Sequence, residues 1–240
     1  GGTGNDVFFG GTGNDTLIGM GADDVLNAGA ATDYLDGGAG KDTLELSGEG
    51  GVALGGAGDD VFLLECGEYT IDGGTGVDTI DLSQYGSGIS AWVGEGFVEF
   101  GISSEVSKYS SIEELIETDF QDNLYAFQGR HVVHLGCGED YLFVGREASG
   151  EYFTNQGDDF VFNYSQDAFI NAGRGNDTII SLGGGTLQGG RGDDQIQMNG
   201  DVLVYSLVDG DDIVTGFDPL VDRFDFSFEA RQAVRSGEYN

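Results

Sequence analysis

Aspartates recur at a fixed interval in this chain, each at the end of a glycine-rich run. Within the first 81 residues two series run nine residues out of step, each with an interval of 18. One series is Asp6, Asp24, Asp42, Asp60 and Asp78, and the other is Asp15 and Asp33. Carboxylate and backbone carbonyl oxygens on irregular loops suit calcium, which accepts about six to eight oxygen ligands, better than magnesium. The pattern therefore predicts rows of calcium sites.

Each aspartate belongs to a unit nine residues long. Residues 1–9 read G-G-T-G-N-D-V-F-F, and the template G-G-x-G-x-D-x-U-x, where U is a large apolar residue, keeps its register through residue 81. Glycine permits the positive φ and the close backbone approach of a tight turn. The last three residues are predicted to form a short strand whose middle side chain points inward. Two such blocks would make one coil, and the coils would stack as parallel strands.

Each predicted site combines an aspartate with backbone oxygens of the turn. The turn glycines that we assign as backbone ligands are Gly2, Gly4, Gly40, Gly58, Gly76, Gly175 and Gly192. We expect a continuous row of sites along the edge that holds the first series. The opposite edge lacks a further aspartate after Asp33, and Ala28 and Ala31 replace two glycines there. One weaker site is therefore expected on that edge, shared between Asp15 and Asp33.

Residues 82–121 interrupt the nonapeptide register. The segment begins with a strand-like alternation of Ile89, Ala91 and Val93. Residues 111–124 allow two interpretations, a helix with a capping box from Ser111 and Glu114 or a coil by which the chain re-enters the stack, and we favour the coil. We expect a first roll at 1–81, an insert with the re-entry coil at 82–121, a second, one-edged roll at 122–215 and a C-terminal cap at 216–240.

In the second roll the aspartates return along one edge, at intervals of 17 to 19 residues. The predicted ligands are Asp140, Asp159, Asp177, Asp194 and Asp212, with Asp122 as a further candidate. The predicted inward residues that follow them are Leu142, Val161, Ile179, Ile196 and Val214. The half-turns between them keep apolar residues but lose the acidic motif, at Val133, Phe153, Phe169, Leu187 and Leu203. Both rolls together would bind about nine or ten calcium ions.

The nonapeptide template resembles the repeats-in-toxin (RTX) family of hemolysin-type calcium-binding repeats. Residues 111–124 resemble the coil by which RTX proteins re-enter the stack, and residues 216–227 resemble their closing segment. The resemblance implies an all-β fold, a right-handed parallel β-roll with calcium bound in the turns. It also implies a secreted, extracellular protein that leaves the cell by type I secretion and folds only outside it.

The charge of the chain agrees with a fold that depends on cations. Acidic residues number 43 against nine basic ones, a net charge of −34 that opposes compaction in the absence of bound cations. Metal binding and folding should then be one event. The same charge argues against a nucleic-acid partner, and no transmembrane run is present for membrane insertion. No signal peptide or initiator Met is present, so we expect a piece of a longer secreted protein, with a monomer favoured.

Residues with catalytic potential are few. His131 and His134, the two histidines, stand three apart in a predicted strand, and no H-E-x-x-H zinc motif occurs. Cys66 and Cys137 could form a disulfide or remain two unpaired thiols, and we favour unpaired thiols. The sequence therefore predicts a module that is not an enzyme.

The predicted function is a calcium-binding module that folds on extracellular calcium and supports the secretion and stability of a larger secreted protein. The alternative is an extracellular adhesion or carbohydrate-binding module with a polysaccharide or surface partner. In that alternative the aromatic insert, with Tyr85, Trp92 and Phe97, would stack on sugar rings. Hydrophobic cover for the end of a roll is the interpretation that we favour for these rings.

Overall fold

The computed structural model describes residues 1–100, 105–205 and 209–226, and every regular element in these ranges is a β-strand. The chain divides into two compact units, Gly1–Thr118 and Asp119–Asn240. Each unit is a parallel β-solenoid in which consecutive coils pair strand to strand. The fold class is the one that the nonapeptide template predicts.

In the first unit one strand arises from each nonapeptide block. The strands are β1 (Val7–Phe9), β2 (Thr16–Gly21), β3 (Val25–Asn27), β4 (Thr32–Ala39), β5 (Thr43–Leu46), β6 (Gly50–Ala57), β7 (Val61–Leu64), β8 (Glu68–Thr75) and β9 (Thr79–Asp81). Odd-numbered strands pair in parallel with odd-numbered ones and even with even. Because Leu26 pairs with Leu44 and Leu35 with Ala53, 18 residues later in each case, two blocks form one coil.

The apolar residue at the eighth position of each block forms the core of this unit. From the third block onward these side chains are at most 1% exposed, and they are Leu26, Leu35, Leu44, Ala53, Phe62, Ile71 and Ile80. Burial of one such large side chain contributes about 1.5–3 kcal/mol. The two blocks that lack the acidic motif still coil, because Ala53 and Ile71 keep the inward position apolar.

The insert forms strands that return the chain to the stack. These are β10 (Ile89–Val93), β11 (Phe97–Phe100), β12 (Glu105–Ser110) and β13 (Glu114–Ile116). β10 and β11 form an antiparallel hairpin in which Ile89, Ala91 and Val93 are buried, as their alternation predicts. β13 then lies parallel to β9, so the re-entry coil, and not the helix, is confirmed. Re-entry begins earlier than predicted, at Lys108 of β12, which pairs with Thr70 of β8.

The second unit begins with two long strands that continue into two separate parallel rows. Its strands are β14 (Asn123–His134), β15 (Tyr141–Phe153), β16 (Phe160–Asn163), β17 (Ala168–Arg174), β18 (Thr178–Ser181), β19 (Gly185–Arg191), β20 (Gln195–Gln197), β21 (Asp201–Tyr205), β22 (Ile213–Thr215) and β23 (Arg223–Phe226). The first half of β15 pairs in parallel with β16, and the same row goes on through β18, β20 and β22. The second half of β15 pairs in parallel with β17, and this second row goes on through β19, β21 and β23.

The inward residues of the second unit agree with the prediction on one row and differ on the other. Leu142, Val161, Ile179 and Ile196 are at most 1% exposed, and Val214 is half-buried. On the other row the inward column is Val133, Tyr152, Ile170, Leu187 and Leu203. Phe153 and Phe169, which the sequence suggested for this row, lie one position away from the column and are half-buried. Adjacent large apolar residues at both places made the register ambiguous.

The described part of the predicted C-terminal cap, residues 216–226, contains β23 and an aromatic contact. The rings of Phe217 and Phe224 lie 4.9 Å apart between centroids. The rest of the predicted cap, residues 227–240, is outside the described residues. Within the ranges that the structure describes, no helix could cross a membrane.

Candidate metal sites along the aspartate edge

The first aspartate series forms one column along an edge of the first unit, here called the aspartate edge. The backbone N–H of each aspartate donates a hydrogen bond to the Oδ1 of the aspartate one coil later, over 2.7 to 2.9 Å. The bonds link Asp6 to Asp24, Asp24 to Asp42, Asp42 to Asp60 and Asp60 to Asp78. The sequence prediction missed the next member, Glu113, whose Oε2 accepts the N–H of Asp78 at 3.0 Å. The insert lengthens that interval to 35 residues, which hides it from a search at 18.

The aspartate edge of the second unit has the same construction. N–H groups donate to the next Oδ1 over 2.8 to 3.0 Å, from Asp122 through Asp140, Asp159, Asp177 and Asp194 to Asp212. Intervals of 17, 18 and 19 residues all fit this geometry. Asp122 is fully buried and donates the first of these bonds, so it is the first aspartate of the column.

The second carboxylate oxygen of these aspartates is the feature that points to a cation. Ten Oδ2 atoms are buried and have no hydrogen-bond partner, and they belong to Asp15, Asp24, Asp33, Asp42, Asp60, Asp78, Asp140, Asp159, Asp177 and Asp194. An unpaired buried carboxylate costs several kcal/mol unless a cation or a proton neutralises it. The buried carboxylates of each column therefore need a cation or a proton beside them.

Backbone oxygens approach the same small spaces in the first unit. A Cβ added to Gly37 would lie 2.5 Å from Oδ2 of Asp42 and 2.8 Å from the carbonyl oxygen of Gly55. A Cβ added to Gly55 would meet Oδ2 of Asp60 at 2.4 Å and the carbonyl oxygen of Gly73 at 2.7 Å. Carboxylate and carbonyl oxygens from successive coils thus converge beside the first glycine of the block. This donor set is hard and entirely oxygen, as calcium requires.

The glycines assigned as ligands from the sequence let successive turns approach closely. A Cβ at Gly58 would lie 1.8 Å from the carbonyl oxygen of Gly40, and one at Gly76 would lie 1.9 Å from that of Gly58. In the second unit, a Cβ added to Gly192 would lie 1.8 Å from the carbonyl oxygen of Gly175. Gly2 and Gly4, in the first turn, have open space at that position, although the N–H of Gly2 donates to Oδ2 of Asp6 at 3.0 Å.

The opposite edge of the first unit carries a shorter version of the same arrangement. The N–H of Asp15 donates to Oδ1 of Asp33 at 2.9 Å. Beside Gly10, Oδ2 of Asp15 and the carbonyl oxygen of Ala28 converge, but the equivalent position before Asp33 is Ala28 itself, which is fully buried. Further along, Tyr69 is 1% exposed, and its hydroxyl donates to the carbonyl oxygen of Ser47. On this edge a buried tyrosine therefore lies beyond the last aspartate.

The second unit differs at the first position of the block. Leu135, Thr154 and Ala172 stand there before three of its aspartates, and all three are fully buried. Gly189 alone repeats the arrangement of the first unit in the described coils, with a Cβ position 2.2 Å from Oδ2 of Asp194. Side chains therefore fill space that is open in the first unit, and the carboxylates are more deeply enclosed.

Burial changes the acidity of the aspartate columns. Burial is the main cause that raises the pKa of Asp140 and Asp177 to about 8. The charges of neighbouring carboxylates also raise the pKa, whereas backbone hydrogen bonds to these carboxylates lower it. The same causes raise the pKa of Asp60, Asp159 and Asp194 to about 6. Lys41 forms an ion pair with Asp59, which is outside the columns. No cluster of three His, Cys, Asp or Glu occurs in the described ranges, so a metal here needs backbone oxygens as well.

The other residues singled out in the sequence are two histidines, two cysteines and the rings of the insert, and of these Cys137 lies in the turn before Asp140. His131 and His134 both lie in β14, and the ring of His134 stacks on Phe153 with 4.7 Å between centroids. Cys66 and Cys137 are unpaired thiols, as favoured. In the insert, the rings of Trp92 and Phe97 stack on each other at 4.8 Å.

Comparison with known proteins identifies calcium-binding repeats in both units. The family model for the RTX calcium-binding nonapeptide repeat matches in four copies, at residues 1–35, 9–44, 164–185 and 181–197. No curated protein matches the chain. One similar solved structure is a hyperactive, Ca²⁺-dependent, β-helical antifreeze protein from an Antarctic bacterium, with 22% identity and a TM-score of 0.34 over 99% of this chain and 90% of that one. The family matches include aspartates of both units, such as Asp24 and Asp177.

Proposed function

Because the chain carries RTX calcium-binding nonapeptide repeats, we propose that it is a module that folds when calcium fills its aspartate edges. The observation that carries the proposal is the row of buried, unpaired Oδ2 atoms. Each ion would be held by the aspartates and the backbone oxygens of successive turns, with about nine or ten ions in all. The module is proposed to have no catalytic activity of its own.

Charge supplies the physical reason that folding would wait for the metal. At a net charge of −34, stacking the coils brings carboxylates together along one edge. The core that opposes this repulsion is narrow, since short strands such as β3, β5 and β7 each contribute one or two buried side chains. Calcium would replace repulsion by ligation, so that the free energy of binding becomes free energy of folding.

This coupling suggests where the module works. Extracellular calcium modules bind at about 10⁻⁴ to 10⁻³ M. Such affinities would leave the chain unfolded inside a cell and folded outside, in keeping with the secretion and extracellular location that the repeats imply. The module would then support the export and stability of a larger secreted protein. Adhesion through the aromatic insert is not favoured, because Tyr85, Trp92 and Phe97 are all half-buried.

A calcium titration followed by circular dichroism tests the proposal. In chelator the chain should lack β signal, and calcium should restore it cooperatively, whereas magnesium should not. Asp60→Asn should raise the calcium midpoint several-fold and lower the slope of unfolding free energy against the logarithm of calcium concentration, because fewer ions bind. Asp72→Asn makes the same charge change at an exposed position of β8 and is the matched control.

Two results would contradict the proposal. One is a β signal that persists in chelator at neutral pH with the same thermal midpoint as in calcium. The other is an Asp60→Asn chain whose titration matches that of Asp72→Asn, since the buried column would then contribute no more than any surface carboxylate.

A further inference from the structure

The second unit has an outer surface that is unusual for so acidic a chain. Six strand segments lie parallel and in register, and they are residues 123–126 of β14, residues 141–144 of β15, and the strands β16, β18, β20 and β22. Each turns two side chains outward around its inward residue. None of these outward residues is charged, although 22% of the chain is charged and its net charge is −34. The corresponding row of the first unit carries Glu45, Asp81 and Glu114 at outward positions. We call this surface of the second unit the neutral face.

Aromatic rings cover half of the neutral face. Seven rings form a closed circuit in which neighbouring centroids lie 5.7 to 6.5 Å apart. They belong to Tyr125, Phe127, Tyr141, Phe143, Phe160, Phe162 and Tyr164, and Phe127 and Tyr164 are at the border of the face. Tyr141 and Phe160 lie 5.9 Å apart with planes 5° from parallel. Phe127 is 38% exposed and Phe160 is 36% exposed. The cluster therefore presents aromatic surface to solvent while its rings hold each other in place.

A groove lies at one border of the ring cluster. It is a cavity of about 380 Å³ between the rings of Phe127, Phe143 and Tyr164, with Arg146 and Glu147 at its margin. Apolar walls with a small number of polar groups at the margin are the usual composition of a small-molecule subsite. The groove has room for part of a ligand whose remainder lies along the face.

The other half of the neutral face is mostly polar and uncharged. Four of its six outward residues are Thr178, Gln195, Gln197 and Thr215, and the other two are Ile180 and Ile213; all six line a second, smaller cavity of about 160 Å³. Hydroxyl and carboxamide groups both donate and accept hydrogen bonds without carrying charge. The face thus combines apolar ring surface with neutral hydrogen-bonding groups along one line of coils.

This combination selects the chemistry of the partner. An anionic ligand would meet a strongly negative protein, in which the one arginine at the groove, Arg146, stands next to Glu147. A cationic ligand would be drawn to the acidic edges instead. A lipid surface would leave the amide and hydroxyl half without partners. A sugar chain satisfies both halves, because its C–H surfaces pack on rings and its hydroxyls bond to amides. Coils that repeat every ~4.8 Å along a straight line suit a linear, repeating polymer.

We propose that the neutral face binds an uncharged, linear polysaccharide. The binding surface is built from the outward residues of the second unit, with the ring cluster as its apolar part and the glutamine and threonine side chains as its polar part. Its strands begin directly after the column aspartates, as Phe160 follows Asp159, so calcium would act on the face by folding the coils that carry it. The proposal goes beyond the calcium function and does not require that export be part of it.

Affinity electrophoresis and sedimentation with calcium-loaded full-length chain provide the test. The probes are soluble xyloglucan and insoluble cellulose as neutral polysaccharides, with polygalacturonate as the anionic comparison. The double variant Phe127→Ser/Phe160→Ser should bind the neutral probe about tenfold more weakly or worse, because two exposed rings are lost. Phe9→Ser, at a 73% exposed ring of the first unit, is the matched control and should bind like the unchanged chain. Trp92→Ala tests whether polysaccharide binding depends on the aromatic insert instead of the neutral face.

Circular dichroism in calcium shows first that each variant keeps its β signal. If the double variant loses that signal, the single variant Phe160→Ser replaces it. The proposal is overturned if the unchanged chain is retained by neither neutral probe, if it binds polygalacturonate instead, or if Trp92→Ala and not the ring variants abolishes retention. It is also overturned if sedimentation shows a calcium-dependent dimer that Phe160→Ser dissociates, since the face would then be an interface between two copies of this chain.

Discussion

At the scale of single residues, each aspartate of the columns has two different tasks for its two oxygens. Oδ1 accepts the N–H of the previous coil and so fixes the distance between coils, as between Asp42 and Asp60 at 2.8 Å. Oδ2 stays buried without a donor. A carboxamide could accept the same N–H but would present a weaker ligand. The requirement for aspartate therefore lies in the second oxygen.

Gly55→Ala tests whether the space beside that second oxygen matters. A Cβ there would lie 2.4 Å from Oδ2 of Asp60 and 2.7 Å from the carbonyl oxygen of Gly73, so atoms must shift. We expect a loss of about 1–3 kcal/mol in unfolding free energy at saturating calcium, together with a higher calcium midpoint, measured by urea unfolding and by titration. Gly86→Ala, at an exposed position where a Cβ meets nothing within 4 Å, is the control. Equal effects of both changes would refute the assignment.

Acidity provides a second test at this scale. The pKa of Asp140 and Asp177 is raised to about 8 in the fold by burial, whereas an unfolded aspartate titrates near ~3.9. Between these values the metal-free fold binds more protons than the unfolded chain, so its stability is greatest at low pH and falls as pH rises through this window.

In chelator, β signal should therefore be stronger at pH 5 than at pH 8. In calcium the order should reverse at limiting metal, because protons compete with the ion for the same oxygens. Circular dichroism at the two pH values, with and without calcium, measures both effects. A metal-free β signal that increases with pH would show that the columns are not held as buried carboxylates.

At the scale of elements, the two edges of the second unit are held together by different means. On the edge without aspartate turns, Asn163 and Ser181 are fully buried, and Nδ2 of Asn163 donates to Oγ of Ser181 at 3.1 Å and to the carbonyl oxygen of Gly184 at 2.6 Å. The hydroxyl of Ser181 donates in turn to Oδ1 of Asp201 at 2.6 Å. Side-chain hydrogen bonds thus connect these coils, and the N–H of Asp201 donates to Oδ1 of Asp222 at 2.9 Å.

Asn163→Ala should distinguish this edge from the aspartate edge. Loss of a buried, multiply bonded amide should lower the unfolding free energy by about 1–3 kcal/mol. The loss should be the same at every saturating calcium concentration, so the slope against the logarithm of calcium stays unchanged, unlike that of Asp60→Asn. Asn171→Ala, at a half-buried position of β17, is the control. A reduced slope for Asn163→Ala would mean that this edge also binds calcium.

Elements with an intact template could be predicted from the sequence, and those without it could not. The two-block coil and the inward position follow from periodicity, because one slipped residue would turn the apolar side chain outward. The re-entry coil at 111–124 was expected from the resemblance to RTX proteins. Glu113 was missed because the insert changes the interval, and Tyr152 because Phe153 beside it is an equally good apolar residue. The neutral face was missed as well, because it exists only once the register of six strands is known.

At the scale of the whole molecule, the excess of acidic residues and the narrow core make folding depend on what the chain binds. The two units do not meet this demand in the same way. In the first, glycines leave space beside the carboxylates of Asp42 and Asp60. In the second, larger side chains precede Asp140 and Asp177, and burial raises the pKa of these two carboxyls to about 8, above the value of about 6 for Asp60. We therefore expect the first unit to lose structure at a higher calcium concentration than the second when chelator is added.

The most direct test of the central claim is a long-wavelength anomalous difference map from crystals of the calcium-loaded chain. The account predicts a row of peaks between successive coils, each within bonding distance of an Oδ2 atom of Asp24, Asp42 or Asp60 and of backbone carbonyl oxygens, at about 2.3–2.6 Å. An intact solenoid with no anomalous peak along that edge would contradict it.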